Sequence, residues 1–202
     1  VVDKLTYAGN IENIPVEHPV LVEDICNVTK DDLGEYDYLV NFAAESHVDN
    51  SIKDGKPFLK SNIEGTFNLL ELARKNKKLK KFIQISTDEV YGDLDKLNIE
   101  SSNESNLLYP SSYYSATKAA SDMLVYSCGH TFNLPYIITR TCNNFGDRQH
   151  DEKFIPTIIR SIASDESIPV YGDGTQIREW IWVEDNAKRI LELMLNSEVG
   201  TF

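Results

Sequence analysis

The apolar positions of the chain fall into short runs separated by longer amphipathic stretches. Strand-like, β-branched runs recur at Val1–Val2, Val20–Ile25, Tyr38–Ala44, Lys81–Ser86 and Tyr136–Thr139. Between the third and fourth lies PFLKSNIEGTFNLLELARKNKK, where Phe58, Ile63, Phe67, Leu70 and Leu72 predict a helix with one broad apolar face. Its last turn is basic, which suits the helix dipole. Between the fourth and fifth lies SSYYSATKAASDMLVYSCGHTF, with Ser111 or Ser112 as N-cap and Ala119, Ala120, Met123 and Leu124 on the expected buried side. Near-continuous apolar strands alternating with helices predict an α/β fold, a parallel sheet covered on both faces. The polar, acidic stretch 93–109 reads as a surface loop, and no internal repeat or low-complexity segment is found.

After Cys142 the rhythm changes. The sequence predicts a Pro-bearing helix, a short strand pair around the Gly-Asp-Gly turn at 172–174, and then another helix. The expected division is residues 1–142 as one domain and 143–202 as part of a smaller substrate-binding region, returning to the first domain around 180–196. The chain opens on Val1 in mid-strand with no initiating Met, which reads as a fragment.

Composition narrows the partners. The 202 residues include 20 basic and 32 acidic side chains, a formal charge of −12. That balance argues against nucleic acid or an anionic membrane, both of which need basic patches, but permits a phosphate-bearing small ligand held by a few cations and amides. No apolar run approaches the ~20 residues of a membrane span, and no signal peptide opens the chain. Cys26, Cys128 and Cys142 are odd in number and lack metal-type spacing. They read as thiols of a reducing, cytoplasmic compartment, and no metal is expected.

Parallel α/β sheets bind ligands beyond the carboxyl ends of their strands. Here those ends carry Asp3, Asp24, Ala43–Ser46, Thr87–Glu89 and Arg140–Asn144. An acidic residue ending the second strand of a dinucleotide-binding fold accepts hydrogen bonds from the adenosine ribose and repels a 2′-phosphate, so Asp3 favours NAD over NADP. Taken alone, a strand-ending Asp is more often a turn residue. The glycine-rich phosphate loop is expected about 20 residues earlier, ahead of Val1. Ala43 and Ala44 leave room for a cofactor close to backbone. His47 has no second His or Cys at ligand spacing and reads as structural. Tyr114 and Lys118 stand at i, i+4 on one helix face. An adjacent ammonium would lower the phenol from about 10 towards working pH, although such a pair also arises by chance.

The segments VVDKLTYAGN, FAAESHVD, ISTDEVYG, YSATKAASD, NNFG and IREWIWVED occur in the order and at the distances of the extended short-chain dehydrogenase/reductases. Within that superfamily the chain most closely resembles the nucleotide-sugar 4,6-dehydratases, over essentially all of its length. The resemblance implies a doubly wound, Rossmann-type sheet lacking its N-terminal strand and Gly-rich loop, and NAD as cofactor. It also implies a nucleotide-diphosphate glucose as substrate, dTDP-glucose above all, and a homodimer built on the helices 58–76 and 112–128.

Carried over by motif, Thr87, Asp88, Glu89, Tyr114 and Lys118 are the implied catalytic residues. Asp3, Lys4, Leu5, Thr6, Asp24, Ile25, Phe42, Ala43, Ala44, Ser61 and Asn144 join Tyr114 and Lys118 around the cofactor. Ser46, Thr87, Asn143, Lys153, Phe154, Pro169, Val170, Tyr171 and Arg178 are the implied substrate contacts. Arg178 suits a pyrophosphate by its fork geometry; without the motif it reads as a surface Arg paired with Glu179 or Asp185. By the same resemblance Glu89 is the base and Asp88 the acid of an elimination, which explains adjacent carboxyls of unlike pKa. Epimerases of the superfamily resemble one another in carrying small or neutral residues at those two positions. The sequence departs from the pattern in Phe145 for Tyr, Tyr113 for Pro and Asn186 for His.

Overall fold

The computed structural model describes residues 1–94, 100–170 and 173–202. The β-branched runs become strands β1 (Val2–Asp3), β2 (Leu21–Val22), β3 (Tyr38–Asn41), β4 (Lys81–Ile85) and β5 (Tyr136–Thr139). Three further strands follow: β6 (Asn143–Phe145), β7 (Trp180–Trp182) and β8 (Gly200–Thr201). Every pairing is parallel. The central sheet runs β3-β4-β5-β8, while β1 and β2 form a separate two-stranded ribbon. Between ribbon and sheet lies a cavity of about 530 Å³, lined by Val1 and Val2 on one side and Leu39 and Val40 on the other.

Pleating sends alternate residues to opposite faces. On one face Phe82 and Ile138 pack with Leu69, Leu70, Ala73 and Val125 from two long helices. On the other, Ile83 and Ile137 pack with Ile190. The helices are α1 (Lys30–Leu33), α2 (Val48–Lys53) and α3, followed by α4 (Tyr113–Phe132), α5 (Phe154–Ala163) and α6 (Val183–Asn196). The third, α3, runs without a break through Lys56–Phe58, the π-helical Leu59–Gly65 and Thr66–Ala73. Helix α6 and β8 thus bring the chain back onto the sheet, and Lys81 Nζ ties that return by donating to the carbonyls of Leu193, Met194 and Ser197 at 3.3, 2.8 and 2.6 Å.

The helix faces differ from the apolar pattern. Phe67 is 54% exposed, and the buried stripe of α3 is Phe58, Asn62, Thr66, Leu69, Leu70 and Ala73. Polar Asn62 and Thr66 take the inward positions because Asn62 binds Glu45 backbone N–H and C=O and Thr66 accepts from Asn41. On α4, Met123 is 47% exposed, while Ser115, Lys118, Ser121 and Asp122 are buried. An apolar count cannot see a stripe whose polar members are paired inside. Ser112, not Ser111, caps α4 through a reciprocal box with Ser115.

The strand pair expected around residues 172–174 is also corrected. Gly172 lies outside the described residues, 173–179 form no strand, and β7 pairs instead with β6, some 37 residues earlier in register (Asn143 with Trp180). Within the stretch 93–109, residues 95–99 lie outside the described residues.

Candidate active site

Strand β4 ends at Ile85, and the chain turns at once into a single 3₁₀ turn, Asp88–Tyr91. Thr87 caps it: its Oγ1 accepts from the Glu89 amide at 3.2 Å and donates to Asp88 Oδ1 at 3.2 Å. Gly92 closes the turn at φ 82°, with its amide on the Glu89 carbonyl at 3.1 Å. A Cβ there would stand 2.0 Å from the Tyr109 carbonyl oxygen, so only glycine fits. The Thr87 hydroxyl also acts on the Tyr114 phenol, as do the charges of both carboxyls. Thr87, both carboxyls and the tyrosine therefore gather at one strand end.

Burial pushes the Asp88 carboxyl up, opposed by the Thr87 hydroxyl, local amides and the Arg178 charge. Burial also raises Glu89, the Asp88 charge raises it further, and Arg178 and Lys153 pull it down. Each carboxyl is thus raised by burial, and the Asp88 charge makes Glu89 harder to ionise.

The expected lowering of the tyrosine is not found. Burial raises Tyr114, and the charges of Glu89, Asp88 and Asp122 add to it, with only the Thr87 hydrogen bond working downward. Lys118 is 4% exposed and donates to the Ile85 carbonyl at 2.6 Å. Burial pulls its ammonium down to about 8, and Asp122 holds it up. Three carboxyls within electrostatic reach outweigh one partly discharged amine.

The cofactor positions gather around the cavity beside β1 and β3. Asp3, Lys4, Thr6, Asp24, Ile25, Phe42, Ala43, Ala44 and Ser61 all line it. Leu5 is not among them; it sits at φ 50°, its amide on Asp3 Oδ1 at 2.7 Å. Asp24 is bracketed by Lys4 at 2.9 Å and Lys60 at 3.2 Å. Burial raises its carboxyl, but bonds from Lys4, Cys26 and Lys60 outweigh this and hold it well below the usual range. Asp3, Ala43 and Ala44 stand at the carboxyl ends of β1 and β3, where parallel α/β sheets bind dinucleotides.

Asn144 is fixed by Asn186, whose Nδ2 donates to Asn144 Oδ1 at 2.7 Å, so the asparagine that replaces His here still reaches the site. Asn143 Nδ2 donates to the Glu179 carbonyl at 3.4 Å, and Phe154 stacks on Trp180 with centroids 6.0 Å apart. Arg178 is exposed and its charge reaches both carboxyls, whereas Asp185 pairs with Lys188 at 3.7 Å. Ser46, Pro169 and Val170 are exposed, and among the described residues no contact ties them to the acid pair. Tyr171 lies outside the described residues.

Two groups escaped the sequence reading. Tyr7 donates to Glu152 Oε1 at 3.0 Å, and His47 Nε2 lies 3.7 Å from Glu152 Oε2, so the loop after β1 is clasped to the loop before α5. Burial and the Glu152 bond push the Tyr7 phenol up to about 12. Beneath Lys118, Asp122 binds Arg140 at 2.9 Å with both side chains almost fully enclosed. The spacing of Asp122, four residues after Lys118, was the available hint.

A parallel sheet with an acid-lined cofactor cavity and a Tyr/Lys helix pair defines a nucleotide-dependent α/β protein. Residues 1–201 match the NAD dependent epimerase/dehydratase family, and the chain belongs to it. It is 45% identical over 205 residues to the low-salt glycan biosynthesis protein Agl12 of Haloferax volcanii, covering 98% of this chain and 65% of that protein. It is 42% identical over 215 residues to dTDP-glucose 4,6-dehydratase of Neisseria gonorrhoeae, covering 98% of this chain and 62% of that one. It superposes with TM-score 0.90 on DesIV, a dTDP-glucose 4,6-dehydratase of Streptomyces venezuelae solved with NAD and TYD bound, at 38% identity and covering 99% of this chain and 63% of that one. The chain thus spans less than two thirds of the length of these relatives.

Proposed function

We propose that the full protein is an NAD-dependent nucleotide-sugar 4,6-dehydratase acting on dTDP-glucose, and that this chain supplies its reacting groups. The observation behind the reading is the acid pair Asp88–Glu89 in the turn capped by Thr87, with the charges of both carboxyls reaching the Tyr114 phenol. Epimerisation at C4 needs only an oxidising centre. Loss of water across C5–C6 needs, in addition, a base and an acid close together.

Tyr114 takes the proton of the C4 hydroxyl, with Thr87 holding that oxygen. NAD⁺, when bound, supplies the hydride acceptor for C4 at the start, a positive charge, and the hydride returned to C6 at the end. The C4 ketone acidifies C5–H, which Glu89 removes. Asp88 protonates the C6 hydroxyl as its C–O bond breaks and water leaves. C5 then regains a proton, giving the 4-keto-6-deoxy sugar.

Asp3 on the cavity rim supports NAD over NADP. Exposed Leu59 and Phe67 on α3 and Tyr113, Met123, Tyr126 and Phe132 on α4 support a homodimer through these helices. Among the described residues no helix is long and apolar enough to cross a membrane, and the free thiols suit the cytoplasm.

Full-length protein incubated with dTDP-glucose should yield the alkali-induced absorbance of a 4-keto-6-deoxy sugar. No such product from dTDP-, UDP-, CDP- or GDP-hexoses would overturn the reading, and a C4 epimer in its place would assign the protein to the other branch of its family. Asp88→Asn should slow water loss far more than C4 oxidation; equal losses would mean that Asp88 is not the acid.

A further inference from the structure

Among the described residues Asp122 is the one carboxyl with 0% exposure, and nothing in the proposed chemistry uses it. It sits one turn below Lys118 on α4 and binds Arg140 Nε through Oδ2 at 2.9 Å. Arg140 follows β5, and its Nη1 donates to Tyr91 Oη at 3.1 Å while its guanidinium lies 5.3 Å from the Tyr91 ring centroid. Tyr91 in turn ends the 3₁₀ turn that holds Asp88 and Glu89. Asp122 Oδ1 has no hydrogen-bond partner among the described residues. Enclosing a carboxylate costs several kcal/mol unless neighbouring cations offset it. Arg140 engages only one of its oxygens, which leaves Asp122 with negative charge to direct at Lys118.

We propose that Asp122 is a positioning residue for Lys118: through Arg140 it locks the turn of α4 to the ends of β4 and β5, and it supplies the buried negative charge that faces the Lys118 ammonium. The inference rests on Lys118 belonging to the reacting site described above. The groups surrounding this turn are Tyr114 and Asp122 on the helix, Asp88, Glu89 and Tyr91 after β4, Arg140 after β5, and the Ile85 carbonyl that accepts from Lys118. Of these, only Asp122 acts on Lys118 to favour its charged form, against burial. Burial raises Asp122 itself, while the Arg140 bond and the charges of Arg140 and Lys118 pull it back.

The test titrates Lys118 directly in the full-length protein carrying ¹³Cε-lysine, the resonance being assigned by its loss in Lys118→Arg. Asp122→Asn keeps an oxygen for Arg140 and removes the charge. The Lys118 midpoint should fall by about one pH unit, and C4 oxidation should fall away at correspondingly lower pH on its alkaline side. Arg140→Gln, which leaves Asp122 charged without its partner, should move the midpoint upward. An unchanged midpoint in folded Asp122→Asn overturns the proposal. Should that variant not fold, the doubly neutral Asp122→Asn/Arg140→Gln decides by the same midpoint. The NMR midpoint needs no substrate. A shifted midpoint without any turnover would therefore uphold the role of Asp122 while rejecting the dehydratase reading.

Discussion

Lys118 donates to the carbonyl oxygen of Ile85 across 2.6 Å, so the amine one turn from Tyr114 is anchored on the strand that leads into the acid pair. Its burial has a thermodynamic consequence. Lys118 falls from 10.5 to about 8 on folding. A lysine whose folded pKa lies below its unfolded value burdens the fold wherever it must stay charged, below pH 8, and the burden is relieved as pH rises from 8 to 10.5. Lys118→Met should therefore stabilise the full-length protein at pH 7 by up to ~2 kcal/mol, seen as a higher melting temperature, once the orphaned Ile85 carbonyl is set against the gain. At pH 10.5 the advantage should vanish, and activity should be abolished at both. Lower stability of Lys118→Met at pH 7 would show that the Ile85 bond outweighs the desolvation.

Arg178 lowers both Asp88 and Glu89, which burial has raised. A base with a raised pKa loses its ionised form earlier as pH falls. Arg178→Ala should thus move the acid limb of the water-loss step to higher pH, by roughly half a unit to one unit for a charge at partly exposed distance. A pH–rate profile measured at saturating dTDP-glucose reads this separately from any loss of substrate affinity. A limb that stays in place would mean that Arg178 does not act on the pair.

Lys81 offers one ammonium to three carbonyls at the end of α6. It satisfies the last-turn acceptors and complements the negative helix terminus. Lys81→Met should cost about 1–2 kcal/mol, read as a lower urea midpoint. Amide exchange should accelerate first around Leu193–Ser197, with the sheet amides of β4 changing later.

Gly92 stands at φ 82° against the Tyr109 carbonyl. Gly92→Ala meets both left-handed strain and a backbone clash, so a loss of at least ~2–4 kcal/mol is expected. Because the turn it closes holds Asp88 and Glu89, kcat should fall in whatever protein still folds. Unaltered kcat together with unaltered stability would show that the turn can open without cost.

The sheet was readable in the sequence because buried parallel strands appear as unbroken apolar runs, and Tyr38–Ala44, Lys81–Ser86 and Tyr136–Thr139 contain β3, β4 and β5. The strand ends were readable too, since polar residues there interrupt an otherwise apolar pattern. The orientation of α3 and α4 was harder. Asn62, Thr66, Ser121 and Asp122 look like solvent positions until their partners are known, and those partners lie far along the chain: Thr117 for Asn62, Arg140 for Asp122. Pairing of β6 with β7 escaped for the same reason, because a local turn seemed a simpler explanation than a contact across the intervening α5. The tyrosine's raised pKa comes first from burial and then from the charges of three carboxyls, neither of which pairwise spacing reveals.

The cavity between β1 and β3 has a second face. Ribbon and sheet each present a strand whose inner backbone edge has no neighbouring strand, and the two edges look at one another across apolar side chains. Open parallel edges of this kind are templates for any extended segment that reaches them. The opening is therefore shaped to take an extended apolar segment between β1 and β3, with Asp3, Ala43 and Ala44 at the end where a ligand would lie.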